Sequence, residues 1–195
     1  MDIQTWSALQ LLYLIEYANF DIQAMLGSGH TTDDNGPTGG TDSAMYHTLK
    51  ISGADNQYRW VENPASFKLA FVHMCSFDAN RNIYIYKDIR NYDSAYSVVH
   101  SGEKITEFTY PVCDLRGSSI KSFGYSEVAP WAFIPDEVLV TPDYTKYVTD
   151  GSTGSSAVTN NYVTSGGSFG SASGYGIFRF GPSAASNYCR MIYVP

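Results

Sequence analysis

Asp2-Ile3-Gln4-Thr5-Trp6-Ser7-Ala8-Leu9-Gln10-Leu11-Leu12-Tyr13-Leu14-Ile15-Glu16-Tyr17-Ala18-Asn19-Phe20-Asp21-Ile22-Gln23-Ala24-Met25-Leu26-Gly27 opens the chain with the one long helical signal it contains. Trp6, Leu9, Tyr13, Tyr17 and Phe20 recur at three and four residues, the spacing that puts side chains on one helix face. Asp2 is a suitable N-cap and Gly27 a suitable stop, so the pattern predicts a helix from about Ile3 to Met25. After Gly27 the regime changes. Residues 28–43 are rich in Gly, Thr and Asp and read as an irregular surface loop.

From Tyr46 onward the apolar pattern becomes strand-like. Phe67, Leu69 and Phe71, and then Ile83 and Ile85, alternate with their neighbours, and Asp78-Ala79-Asn80-Arg81-Asn82 supplies a turn between them, which predicts an antiparallel hairpin. Further short strands are expected at Glu107 to Val112, Trp131 to Ile134, Gly176 to Phe180 and Cys189 to Val194. Two stretches, Asn91 to Thr106 and Val138 to Asn161, read as long connections of the kind that bind ligands. One long helix followed by many short strands is an α+β pattern. At 195 residues the chain fits a single domain, 1–195.

Composition narrows the function. The chain is 44% hydrophobic and 15% aromatic, with sixteen Tyr, which suits a packed aromatic core. A formal charge of -7, with only twelve scattered basic residues, speaks against nucleic acid, because phosphate binding draws on clustered Lys and Arg. The run Leu11 to Ile15 is far shorter than the ~20 residues of a membrane span, and no basic segment of a secretion signal precedes it. Membrane insertion is not expected. Cys75, Cys113 and Cys189 form neither a disulfide framework nor a zinc pattern. They read as buried free thiols, with a Cys75–Cys113 bridge left open and the redox compartment with it.

The sharpest shift falls after Asp150. Residues 151–195 contain no Asp, Glu or Lys, only Arg179 and Arg190, and about half of them are Ser, Gly, Asn or Tyr. Tyr gives large rigid contact area at low entropic cost, and Ser, Gly and Asn give adaptable hydrogen bonds, as in an antibody paratope. A flexible linker has a similar composition. A linker does not end in apolar runs such as Ile177-Phe178 and Met191-Ile192-Tyr193-Val194, which would hold the intervening loops on strands. The candidate ligand-binding residues are Asn161, Tyr162, Ser168, Phe169, Ser171, Ser173, Tyr175, Ser183, Asn187 and Tyr188.

Several blocks resemble a family of phage tail and gut-bacterial proteins whose C-terminal domain has a C-type-lectin fold related to formylglycine-generating enzymes. They are the helix from Trp6 to Ala18, Tyr58-Arg59-Trp60-Val61-Glu62-Asn63-Pro64, Ile120-Lys121-Ser122-Phe123-Gly124-Tyr125 and Ala129-Pro130-Trp131-Ala132-Phe133. Near the end, Gly166-Gly167-Ser168-Phe169, Gly174-Tyr175-Gly176-Ile177-Phe178 and Cys189-Arg190-Met191-Ile192-Tyr193 are similar to the family's Gly-Gly-x-Trp, Ala-Gly-x-Phe and Gly-x-Arg-Leu blocks. The family's Trp is here Phe169, and its Gly-Asn-Val-x-x-Trp block reads Ala65-Ser66-Phe67-Lys68-Leu69-Ala70-Phe71. The resemblance implies a C-type-lectin-like fold with residues 151–195 as a recognition segment, in some members diversified by a retroelement. It implies a phage tail-fibre receptor-binding domain, often homotrimeric, in the virion, whose partner is a host-surface protein or glycan. A bacterial surface adhesin and a structural virion subunit are the alternatives.

Catalysis is not expected. The family's formylglycine-generating relatives use a close cysteine pair near the C-terminus, where this chain has only Cys189. His73 and Cys75, two apart on an expected strand, would share one face and could in principle act as base and nucleophile or as metal ligands. Their apolar neighbours favour a core thiol and a satisfied histidine instead. His30, His47 and His100 have no recognisable partners. No cofactor or metal is expected: the animal lectins' Glu-Pro-Asn type of calcium motif is absent, Glu62-Asn63-Pro64 has those letters in another order, and Asp33-Asp34-Asn35-Gly36 lacks the spacing of an EF-hand loop.

Overall fold

The computed structural model describes residues 1–27, 48–49, 57–62, 64, 69–78, 80–86, 103–104, 118–139, 148–152, 162–166 and 176–183. The predicted loop at 28–43, the predicted strands Glu107 to Val112 and Cys189 to Val194, and Cys113, Cys189, His30, His47 and His100 lie outside these residues. What is described is a mixed α+β fold, with two helices packed on sheets whose strand pairs are antiparallel except one.

Helix α1 spans Ile3–Tyr17. Asp2 caps it as expected, its carboxylate accepting from the Thr5 backbone N–H at 2.8 Å and the Thr5 hydroxyl at 3.0 Å. The helix does not run on to Met25. Ala18 adopts the left-handed conformation at φ 48° and its N–H donates to the Leu14 carbonyl, ending the helix. The Asn19 side chain then accepts from the Asp21 N–H at 2.8 Å, and Asp21 caps a separate short helix α2, Ile22–Leu26, by accepting from Ala24 N–H at 2.9 Å. Gly27 ends α2, not one long helix. The break swings Phe20 off the helical line onto Phe123 and Phe178.

A small sheet has the order β1 (Thr48–Leu49), β2 (Gln57–Tyr58), β3 (Val61–Glu62). Arg59 and Trp60, both with left-handed backbone, make its tight β2–β3 turn, and the Arg59 guanidinium pairs with Glu16 on α1. The main sheet has the order β6-β5-β4-β10-β11-β9-β7-β8. Its strands are β4 (Leu69–Phe77), β5 (Ile83–Ile85), β6 (Glu103–Lys104), β7 (Ser118–Gly124), β8 (Ile134–Leu139), β9 (Val148–Ser152), β10 (Tyr162–Gly166) and β11 (Gly176–Ser183). The exception to antiparallel pairing is β9 beside β11. Edge strand β8 carries Pro135, Asp136 and Glu137, residues that discourage pairing with another chain.

The predicted hairpin is present as β4 and β5, with Cys75 opposite Ile85 and Phe77 opposite Ile83. Asp78 organises its turn by accepting from Asn80 N–H, Asn82 N–H, the Asn82 amide and the Tyr84 hydroxyl at 2.6–3.2 Å. Partial burial alone would raise its pKa, but these hydrogen bonds, led by Asn82, outweigh it and hold the carboxyl below its ordinary value. The stabilisation is present above the unfolded-state pKa and is lost as pH falls through the lower folded value. Asp78→Asn should therefore flatten the loss of stability below about pH 4, measured as urea midpoints against pH.

Strand β4 is not continuous. Adjacent residues Tyr162 and Val163 on β10 face Ser76 and Val72, so the residues between Val72 and Ser76 bulge out around a left-handed Met74. The chain start fills the gap: His73 N–H donates to the Met1 carbonyl at 2.9 Å, and Tyr86 N–H to that of Met74 at 3.0 Å. The left-handed Met74 lies between His73 and Cys75. Cys75 is a fully buried free thiol whose ionisation burial disfavours, whereas His73 is half-buried. Desolvation, and then the nearby N-terminal amine, lower the His73 pKa against an opposing pull from Asp2.

Two more expectations need correction. Trp131 lies in a turn, not a strand, because Ala132 N–H bonds back to the Ala129 carbonyl, and β8 begins at Ile134. The stretches read as long connections carry strands: β6 in the first, and the end of β8 and β9 in the second.

The core lies between α1 and the main sheet. Ile3, Trp6, Leu9 and Tyr13 pack with Val72, Phe77, Ile83, Ile177 and Phe178. Between Gly166↔Gly176 and Thr164↔Gly181 the β10–β11 ladder skips, and in that gap the Ile177 carbonyl turns to the helix, accepting from Trp6 Nε1 at 2.8 Å and Gln10 Nε2 at 2.6 Å.

Candidate functional site

The candidate residues fall on or beside one hairpin. Gly166 and Gly176 face each other across β10 and β11, so residues 167–175 connect the two strands at that end. Ser168, Phe169, Ser171, Ser173 and Tyr175 belong to this connection and lie outside the described residues. At the opposite end, Tyr162 and Ser183 are register partners. Asn161 precedes Tyr162, and Asn187 and Tyr188 follow Ser183; these three also lie outside the described residues. Four residue steps of β10, roughly 13 Å, separate the anchors. The structure brings Tyr162 and Ser183 together, in line with Ser76 of β4.

Strand register shows what shares an end with the 167–175 connection. β9 runs parallel to β11, with Ser152 beside Phe180. β7 returns antiparallel, with Ser118 beside Ser152 and Ile120 beside Val148, so it heads toward the Gly176 end of β11. There Gly124 pairs with Ile134, closing the β7–β8 loop of residues 125–133. That loop and the 167–175 connection thus leave the sheet at the same end. Ring contacts agree: Phe178, two residues into β11 from Gly176, lies 5.0 Å from Phe20, 6.0 Å from Phe133 and 6.1 Å from Phe123, centroid to centroid.

The loop is internally stapled. The Ser126 hydroxyl accepts from the N–H groups of Val128 and Ala129, Ala132 N–H bonds to the Ala129 carbonyl, and Ala129 is fully buried. On this frame Tyr125 is 68% exposed and Trp131 37%, and Phe20, stacked on Phe123, is 36% exposed. The sequence pattern assigned Trp131 to a strand and Phe20 to a helix core. Pro130 and the pair Asn19, Asp21 were the local turn signals that could have freed them.

The electrostatics are sparse. Neither 125–133 nor 167–175 contains Lys or Arg, and Glu127 is the only carboxylate in either. Lys121, nearby on β7, pairs with Glu137 on β8. Among the described residues, no group of three His, Cys, Asp or Glu could hold a metal ion, and no helix is long and apolar enough to cross a membrane. This end of the sheet can offer aromatic faces and hydroxyl or amide hydrogen bonds. No family model, curated protein or solved structure matches the chain.

Proposed function

We propose that this chain is a non-enzymatic recognition domain with a C-type-lectin-like fold, the distal receptor-binding part of a phage tail fibre, which engages a protein or glycan on the host surface. The supporting observation is where the Ser/Gly-rich, charge-free connection 167–175 joins the sheet. It leaves and re-enters the sheet at paired Gly166 and Gly176, on strands that α1 holds through Ile177. A connection anchored at both ends on a packed sheet can vary in sequence without disturbing the core. Replacing residues 167–175 by a Gly-Ser linker of equal length should leave the unfolding midpoint nearly unchanged and abolish adhesion to a panel of bacterial cells, scored by pull-down of labelled protein. Retained adhesion refutes this reading.

One observation favours assembly into a larger structure, either a fibre homotrimer or a structural virion subunit. Leu11, Leu12 and Ile15 line the outer face of α1 at 50%, 37% and 70% exposure, and surface helices normally put polar residues there. A second copy of the chain is the natural cover. Light scattering should give a multiple of the 21.5 kDa chain mass, and Ile15→Glu should reduce it to the monomer.

A further inference from the structure

We infer that α1 pairs with α1 of a second copy, antiparallel and about a two-fold axis, through the exposed stripe Gln4, Ala8, Leu11 and Ile15. The inference rests on the reading that a second copy covers this face, and narrows it to one partner element, one orientation and one register.

The stripe is built into one regular helix. Its residues are all exposed and step by four, three and four positions, the interval at which side chains form a coiled-coil seam. The other face of α1 carries Ile3, Trp6, Leu9 and Tyr13 into the core, so the stripe looks away from the sheet.

Side-chain size selects the occupant. In an antiparallel pair centred between Leu9 and Gln10, Ala8 lies opposite the partner's Leu11 and Gln4 opposite the partner's Ile15, and the two-fold axis repeats both contacts. Each branched side chain meets a small or flexible one, so knobs find holes. Complementarity of a surface to its own rotated copy is the requirement of an isologous interface, and an unrelated partner does not impose it. Helices that lie in a lipid interface carry Lys and Arg on the polar face beside the apolar one, and α1 has neither.

Charge selects the orientation. Residues 3–15 carry none; Asp2 stands at the start of α1, and Glu16 with Arg59 at its finish. Parallel pairing sets like ends together, Asp2 against Asp2. Antiparallel pairing brings the Arg59 side chain, 37% exposed, to the end that holds the partner's Asp2. Thr5, whose N–H Asp2 caps, and Glu16 share one flank of the stripe, and about a two-fold axis equal flanks meet, so these groups fall on the same side of the seam. A guanidinium has five N–H donors and can serve both carboxylates.

The test uses the full chain. Sedimentation equilibrium should give twice the 21.5 kDa chain mass. Ala8→Leu should weaken the pair tenfold or more although it adds apolar surface, because it fills the space that the partner's Leu11 takes. Leu11→Ala should weaken it too, and the double exchange should restore it, with the far-UV helix signal unchanged throughout. Thiol crosslinking should join Gln4→Cys to Ile15→Cys in a mixture of the two variants, above the wild-type background, and neither variant to itself, since like residues lie roughly 16 Å apart along the helices. A trimer, a dimer indifferent to Ala8→Leu, a double exchange that restores nothing, or crosslinking of Gln4→Cys to itself overturns the antiparallel pair and leaves the second-copy reading standing. A single-chain mass up to sub-millimolar concentration overturns both, and adsorption of that single chain to phosphatidylcholine vesicles gives the face to lipid instead.

Discussion

Trp6→Ala is expected to lower the free energy of unfolding by about 3–5 kcal/mol, a large part of the 5–15 kcal/mol typical of a domain. Trp6 is 1% exposed, and its removal leaves a cavity between α1 and β11 that the surrounding sheet cannot fill. The indole also donates to the Ile177 carbonyl, which sits where the β10–β11 ladder skips. Gln10 donates to the same oxygen, so either donor lost alone leaves one in place. Trp6→Phe and Gln10→Leu should each cost about 1–2 kcal/mol. The double substitution should cost more than their sum, because a buried carbonyl is then stripped of both donors. Urea denaturation of the four proteins measures this coupling; strict additivity would mean that the two donors act independently.

Phe178→Ala should be comparably damaging, at about 3–5 kcal/mol. The Phe178 ring is fully buried and meets Tyr13 at 5.8 Å as well as Phe20, Phe123 and Phe133. It thus supports α1 on one side and the Phe20–Phe123 stack on the other. Phe178→Leu restores much of the volume but not the edge-to-face contacts, each about 0.5–1.5 kcal/mol. Phe178→Leu should therefore unfold at a higher urea concentration than Phe178→Ala and at a lower one than wild type, because Phe20 and Phe123 lose their backing. A midpoint equal to that of wild type would mean that the ring contacts add nothing to the buried volume.

Much of this scaffold was legible in the residues. Asp2 announced the helix start, and Asp78 through Asn82 announced the hairpin turn, because both rest on local hydrogen bonds that particular side chains provide. The helix break was hidden because Phe20 follows Tyr17 at helical spacing, so the apolar rhythm continues where the backbone does not. Ala18 has no signature of a left-handed residue; Asn19 and Asp21 carried the only warning. Strands β7, β9 and β10 are written in Ser, Thr and Gly, and only pairing with distant neighbours makes them strands. The bulge at Met74 was equally silent, since it answers to the chain start filling the gap beside it. At the candidate site, composition singled out the C-terminal segment, but which residues share an end of the sheet follows from register alone. For the same reason Tyr125 and Trp131 passed as parts of the scaffold.

The bond from Trp6 to Ile177 joins residues 171 positions apart, and this sets a timetable for the newborn chain. Helix α1 leaves the ribosome well before the strand it lies on, β11. At 5–20 residues per second the helix waits on the order of ten to thirty seconds, its apolar faces uncovered, until its floor is made. A chain cut short before β11 never receives that floor. Folding of this domain therefore reports that translation has passed β11.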